Sequence, residues 1–189
     1  MSATRRAGGA RRDHDAYATP EWVARLVVPL VPELDDPAAV VLDPAAGDGA
    51  LLAGLGDVRA QRVGFEIRPE ACDACRGRGF SCGVADALTI PWAPVSAVVM
   101  NPPYTLARAF VEHALRETRR GGTVAALLRL AFLEGQARGA WLRGNAPDVY
   151  VLSKRPSFTG RGTDSTAYAW FVWRAGVTRT AGRLEVLAC

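Results

Sequence analysis

The sequence predicts an α/β domain with a mainly parallel sheet of about seven strands and helices on both faces, spanning residues 17–189. Three observations carry that prediction. Short apolar runs alternate with segments of helical spacing along the chain. A glycine-rich turn, Gly47 to Gly49, follows the first of those runs directly. The 189 residues, 49% of them hydrophobic, are enough for one well-filled core.

Each element has a local reason. Trp22, Val23, Leu26, Val27 and Leu30 recur at helical spacing, so a helix is expected over 20–30, with Thr19 as N-cap and Pro20 in the first position. Val40-Val41-Leu42 is the first strand, and 50–58 supplies a crossover helix. A second strand over 62–67 carries Glu66 near its end. A helix over 69–78 leads to a third strand, 82–85, followed by Asp86. The apolar run 95–100 is the fourth strand. A helix over 106–119 closes at Gly121-Gly122. A buried fifth strand, 123–130, and a helix over 134–143 come next, then strands at 148–152 and 168–173 and an edge strand at 184–187. Right-handed crossovers join the parallel strands.

Asn101-Pro102-Pro103-Tyr104 ends the fourth strand and suits the methylation of a planar nitrogen. The lone pair of such a nitrogen is delocalised, so a site must hold it still and accept its hydrogens. The Asn101 side-chain oxygen accepts one N–H and the Pro102 carbonyl the other, Pro102 and Pro103 stiffen the turn, and Tyr104 offers a face for stacking. The same tetrad also reads as a plain strand-to-loop turn. Upstream, the first strand runs into Asp43-Pro44-Ala45-Ala46-Gly47-Asp48-Gly49. This is neither a phosphate-binding loop nor a complete dinucleotide fingerprint. An acidic residue at the strand end suits a cationic ligand bearing an amino acid, with Asp43 facing its positive end. Glu66, about 20 positions beyond the turn, is placed to accept the hydroxyls of a ribose.

Together D-P-A-A-G-D-G and N-P-P-Y resemble the S-adenosylmethionine-dependent DNA amino-methyltransferases. The order of motifs is similar to the gamma-type N6-adenine group. The resemblance covers nearly the whole chain and implies a Rossmann-like class I methyltransferase domain with one antiparallel hairpin among its late strands. It implies that Tyr17, Thr19 and Pro20 close over the methionine part of the cofactor, with Pro44, Ala45, Gly47 and Gly49 in the turn beside it. Asp86 would bond the adenine amino group, and Ile67 and Ala87 would flank its ring. Phe158, in the polar glycine-rich loop 155–165, would press on a flipped base opposite Tyr104, or else anchor that loop to the core.

The implied partner is nucleic acid, most simply DNA, with transfer to adenine N6. No room for a separate target-recognition domain is evident between the motifs or after the late strands, so the expectation is a short site read through loops, action on single strands, or recognition supplied by a homodimer or a partner chain. The same tetrad chemistry serves an RNA base nitrogen or a protein glutamine amide, and a non-catalytic nucleic-acid-binding subunit is a further alternative. The formal charge of +4 includes +2 from a basic arm, residues 1–16, which is expected to be disordered. Basic clusters at Arg116, Arg119 and Arg120 and at Lys154, Arg155 and Arg161 suit phosphate contacts. Cys72, Cys75, Cys82 and Cys189 read as reduced thiols, and no metal is expected, because Cys72-x-x-Cys75 falls on a helix with no fourth ligand nearby. Without an apolar span or a leader-like segment, no membrane association and a cytoplasmic location are the expectations.

Overall fold

A computed structural model of the protein describes residues 18–158 and 164–189. The expected arm, Tyr17 and Arg161 lie outside the described residues. The strands are β1 (Val40–Asp43), β2 (Gln61–Glu66), β3 (Ser81–Val84), β4 (Val95–Met100), β5 (Thr118–Arg129), β6 (Asp148–Leu152), β7 (Tyr168–Arg174) and β8 (Leu184–Leu187). Among the described residues they form one sheet in the order β3-β2-β1-β4-β5-β7-β6-β8. Neighbours run parallel except β7, which is antiparallel to both β5 and β6. The helices are α1 (Glu21–Val27), α2 (Ala50–Gly54), α3 (Pro69–Gly77), α4 (Ala107–Glu117) and α5 (Gln136–Leu142).

Strand periodicity divides the core in two. Val41, Ala97, Val99, Ala125 and Leu127 point to one face, where Val23, Ala24 and Val27 of α1 and Leu51 of α2 cover them. Their neighbours Leu42, Val98, Met100, Val124, Ala126 and Leu128 point to the other, against Phe110, Val111 and Ala114 of α4. Buried on both sides, the central strands read as continuous apolar runs. The indole nitrogen of Trp170 on β7 donates to the Val23 carbonyl at 3.0 Å and ties α1 to the sheet. β1 lies between β2 and β4, so the chain winds outward to β3 and then returns to β4. The cleft opens at that reversal, over the carboxyl ends of β1 and β4.

The strands appear where expected, with the edge strand present as an eighth and the late antiparallel pairing formed by β6 and β7. Several boundaries differ, each for a physical reason. α1 stops at Val27 and gives way to two 3-10 turns, each opened by a proline at its first or second position. α2 stops at Gly54, because Gly56 takes φ +75° and the Arg62 guanidinium accommodates the freed Leu52 and Gly56 carbonyls at 2.7 and 3.0 Å. α4 ends at Glu117, and Gly121-Gly122 lies inside β5 instead of closing the helix. There the β4–β5 register shifts between Val95 and Ala97, forming a bulge. Gly121 sits at φ +84°, and a Cβ on Gly122 would lie 2.2 Å from the Ser96 carbonyl oxygen.

Gly122→Ala is therefore expected to destabilise the protein by about 1–3 kcal/mol and lower the melting temperature by roughly 2–4 °C per kcal/mol. Gly77→Ala is the contrast, since a Cβ there meets nothing within 4 Å; it is expected to be neutral or slightly stabilising. Thermal unfolding of the two variants checks the pair, and equal effects would mean that the bulge tolerates a side chain.

Candidate active site

β1 ends in Asp43 and turns through Pro44-Ala45-Ala46-Gly47 over the top of the sheet. The turn is held at both ends: the Ala45 amide donates to Asp43 Oδ1 at 3.0 Å and the Ala46 amide to the Phe65 carbonyl at 2.9 Å. Gly47 takes φ +55° and aims its amide at Glu66 Oε2, 2.8 Å away. Gly49, at φ +82°, leads into α2; a Cβ there would stand 2.9 Å from Cys75 Sγ on α3. The two glycines thus do different work, Gly47 presenting a backbone N–H and Gly49 permitting close packing.

Below this turn lies a cavity of about 370 Å³. Thr19, Pro44, Ala45, Gly47, Glu66, Ile67, Asp86, Ala87, Asn101 and Pro103 all line it. Ile67 is half exposed at the mouth and Ala87 is buried, so the pocket has apolar walls between acidic groups. Pro20, Asp43, Gly49, Pro102, Tyr104 and Phe158 are not among the lining residues. Pro102 is buried. Tyr17 lies outside the described residues.

The acidic residues are in different states. Asp43 is 1% exposed, and burial pushes its carboxyl up to about 7, only partly offset by the Ala45 amide. Burial also works against the charge of Glu66, but its bonds from Arg68 and Gly47 outweigh that and hold the carboxyl below the usual range. Glu66 Oε1 accepts from both the backbone amide and the side-chain Nε of Arg68, each at 2.9 Å. Arg68, which the sequence reading missed, therefore occupies the carboxylate that was expected to meet a ribose. Its position two residues beyond Glu66 was the available signal. Asp86 keeps a more open geometry, its Oδ1 accepting the Leu88 amide at 3.0 Å.

On the other side of the cleft, Asn101 is held by two hydroxyls. Its Nδ2 donates to Thr19 Oγ1 at 3.0 Å, and Tyr104 donates its phenol to Asn101 Oδ1 at 3.2 Å. Thr19 was expected to cap α1; the N-cap is Pro20, without a side-chain bond, and the Thr19 hydroxyl serves Asn101 instead. Burial raises the Tyr104 phenol far above its ordinary range, so it stays a donor. The Arg129 guanidinium lies 4.6 Å from the Tyr104 ring centroid. Tyr168 contacts Tyr104 (5.6 Å, 51°) and Phe158 (5.1 Å, 69°). Phe158 and Tyr104 are thus joined through a third ring, and Phe158 packs against the core.

Of the basic clusters, Arg116 and its neighbours lie where α4 meets the start of β5, at the end of the sheet away from the cavity. Lys154 follows β6 at the cavity end, its ammonium 5.6 Å from the Trp22 ring centroid. Cys72, Cys75 and Cys82 are free and buried together behind Ala46. Among the described residues no His, Cys, Asp and Glu cluster has the arrangement of a metal site, and no helix is long and apolar enough to cross a membrane.

The strand order, the antiparallel β7 and the cleft at the β1–β4 reversal make this the Rossmann-like fold of class I S-adenosylmethionine-dependent methyltransferases. No protein-family model and no curated protein sequence matches the chain. Among solved structures it is similar to a type I restriction-modification methyltransferase subunit from Streptococcus thermophilus, with a TM-score of 0.74, 20% identity and coverage of 90% of this chain and 47% of that one. It is also similar to a putative class I S-adenosylmethionine-dependent methyltransferase from Listeria monocytogenes (TM-score 0.71, 18% identity, 96% and 68% covered). A third is an RNA methyltransferase from Salinibacter ruber in complex with S-adenosyl-L-homocysteine (0.58, 16%, 83% and 92%). The chain spans about half the length of the type I subunit, and at these identities the likeness is one of fold.

Asp43 yields a test by pH. Its folded value of about 7 exceeds the ordinary 3.8, so between those values the folded state holds a proton that the unfolded chain has released. The contribution of Asp43 to stability is then greatest below pH 4, falls as pH rises to 7, and is flat above. Asp43→Asn keeps an acceptor for Ala45 and removes the buried charge, so without added ligand it is expected to exceed the wild type at pH 8, by at most about 4 kcal/mol. The gap should vanish near pH 4. Urea unfolding at the two pH values checks this, and a constant gap would show that Asp43 ionises normally.

Proposed function

We propose that the chain transfers a methyl group from S-adenosylmethionine to the exocyclic N6 amino group of adenine in DNA. The observation that carries the reading is Asn101, which lines the cavity and is fixed there by Thr19 and Tyr104. The cofactor fits the residues present. The cavity volume lies in the range of small-molecule sites, roughly 300–1,000 Å³. Glu66 and Asp86 suit ribose hydroxyls and an adenine amino group, Ile67 and Ala87 suit the ring, and the Asp43 carboxyl is buried behind the turn. When bound, S-adenosylmethionine supplies a methyl group activated by the positive sulfonium.

The residues then have separate tasks. Glu66 exchanges Arg68 side-chain bonds for ribose hydroxyls. Asn101 Oδ1 accepts one amino hydrogen, since the Tyr104 phenol takes only one of its two lone pairs. The Pro102 carbonyl accepts the other hydrogen, and the nitrogen lone pair is turned toward the methyl group. The N–C bond forms as the S–C bond breaks, leaving S-adenosylhomocysteine and a positively charged nitrogen whose acidic proton passes to water. No general base is required before attack, and the work of the site is positioning. Phe158 anchors the loop, and Tyr104 provides the stacking surface.

DNA is favoured by the tetrad and by the likeness to a type I restriction-modification subunit. The RNA methyltransferase likeness supports an RNA base as the second reading. The likeness to a subunit of a type I restriction-modification system supports a partner chain, or a second copy, as a participant in target recognition.

The test uses labelled S-adenosylmethionine with duplex DNA, single-stranded DNA, RNA and protein extract, followed by mass spectrometry of the products. N6-methyladenine in DNA is expected; label only in RNA or in glutamine would move the substrate and keep the chemistry. Asn101→Ala is expected to cut turnover by roughly 10²-fold or more with cofactor affinity nearly unchanged. Glu66→Gln is expected to weaken cofactor binding roughly ten- to hundredfold by calorimetry. The reverse pattern would overturn the assignment of roles.

A further inference from the structure

Arg129 is the one charged residue in the otherwise apolar run 124–130, and it ends β5 beside the exit of β4. It stands directly opposite Tyr168 in the β5–β7 register. Its Nε donates to the Tyr168 hydroxyl at 3.2 Å, and that hydroxyl donates to Asp164 Oδ2 at 2.7 Å. Asp164 is itself fixed, its Oδ1 accepting the Thr166 amide at 3.1 Å and its own amide donating to the Pro156 carbonyl at 3.0 Å. Among the described residues Arg129 makes no ion pair. Its cation is instead placed over the Tyr104 ring, 4.6 Å from the centroid.

We propose that Arg129 is a positioning residue for the Asn101–Tyr104 tetrad: stacked on Tyr104 and tethered through Tyr168 to Asp164, it fixes the Tyr104 ring and, through the phenol, the acceptor oxygen of Asn101. The proposal rests on the methyl-transfer reading of Asn101. Tyr104 has two tasks that require one ring orientation, to donate to Asn101 Oδ1 and to present a face to the target plane. The phenol bond and the Tyr168 ring contact each restrain Tyr104. The Arg129 guanidinium adds a restraint on the ring face, and the Tyr168 bond stops the guanidinium from leaving. The β5–β7 pairing thereby acts on a group carried by β4.

Arg129→Ala is expected to lower kcat roughly ten- to hundredfold, while the dissociation constant for S-adenosylmethionine stays within about twofold, because Arg129 does not line the cofactor cavity. Arg129→Lys keeps a cation without the planar stack and is expected to recover part of the loss. Tyr168→Phe should act in the same direction, and the double variant should be no worse than Arg129→Ala alone. A readout independent of substrate is the NMR signal of the Asn101 side-chain amide, identified by its loss in Asn101→Asp; it is expected to shift or broaden in Arg129→Ala and in Tyr168→Phe. Unchanged turnover with an unmoved amide signal overturns the proposal. So does a parallel fall in melting temperature, cofactor affinity and turnover, which marks a structural role. If the wild type methylates no DNA adenine, the substrate reading fails, while the amide signal still decides the role of Arg129.

Discussion

The site depends on the burial of the last four residues of β4. Ala97, Val98, Val99 and Met100 have no measurable exposure, and they alternate between cores that α1 and α2 close on one side and α4 on the other. A slip of one residue would exchange the two apolar sets and misplace every side chain beyond. The point at which the chain leaves the sheet is thereby fixed, and Asn101 is the next residue. With β1 paired in register beside it, Leu42 against Val98, the Asp43 turn and the Asn101 tetrad rise from adjacent strand ends. The rest of the cleft follows from that pairing.

Where a feature was set by its own strand or turn, the sequence showed it. β6 and β8 fall at the expected residues, and the cavity gathers Glu66, Asp86 and Asn101 from three separate strand ends that periodicity had already located. What the sequence hid was set by contacts between distant segments. Gly121-Gly122 has the local appearance of a helix stop. Its actual requirement is the absence of a Cβ beside Ser96, a residue on another strand. α2 ends early because Arg62, on the next strand, takes its carbonyls. Thr19 has the pattern of an N-cap and spends its hydroxyl 82 positions away. The triple of Tyr104, Tyr168 and Phe158 required a third ring that no spacing rule connects to the other two. A lone arginine closing an apolar strand was the legible sign of Arg129.

The two halves of the cleft are organised by opposite devices. On the tetrad side, neutral hydroxyls hold an amide, and burial keeps the Tyr104 phenol a donor. On the turn side, charges dominate. Among the described residues Asp43 is buried without an ionic partner, and Glu66 is paired with a neighbour on its own strand end. Acceptor geometry is thus built on one wall and electrostatic attraction on the other, matching a reaction in which a cationic donor meets a weak neutral nucleophile.

The Glu66–Arg68 pair changes the character of ligand entry. Glu66 Oε1 already holds two hydrogen bonds from Arg68, and Oε2 one from Gly47. Under the proposed reading, a diol arriving there would exchange bonds with Arg68 instead of filling a waiting set of acceptors. Part of the gain would then come from the freedom returned to a long side chain. Entry at that carboxylate would be a substitution coupled to the release of Arg68, not a simple addition.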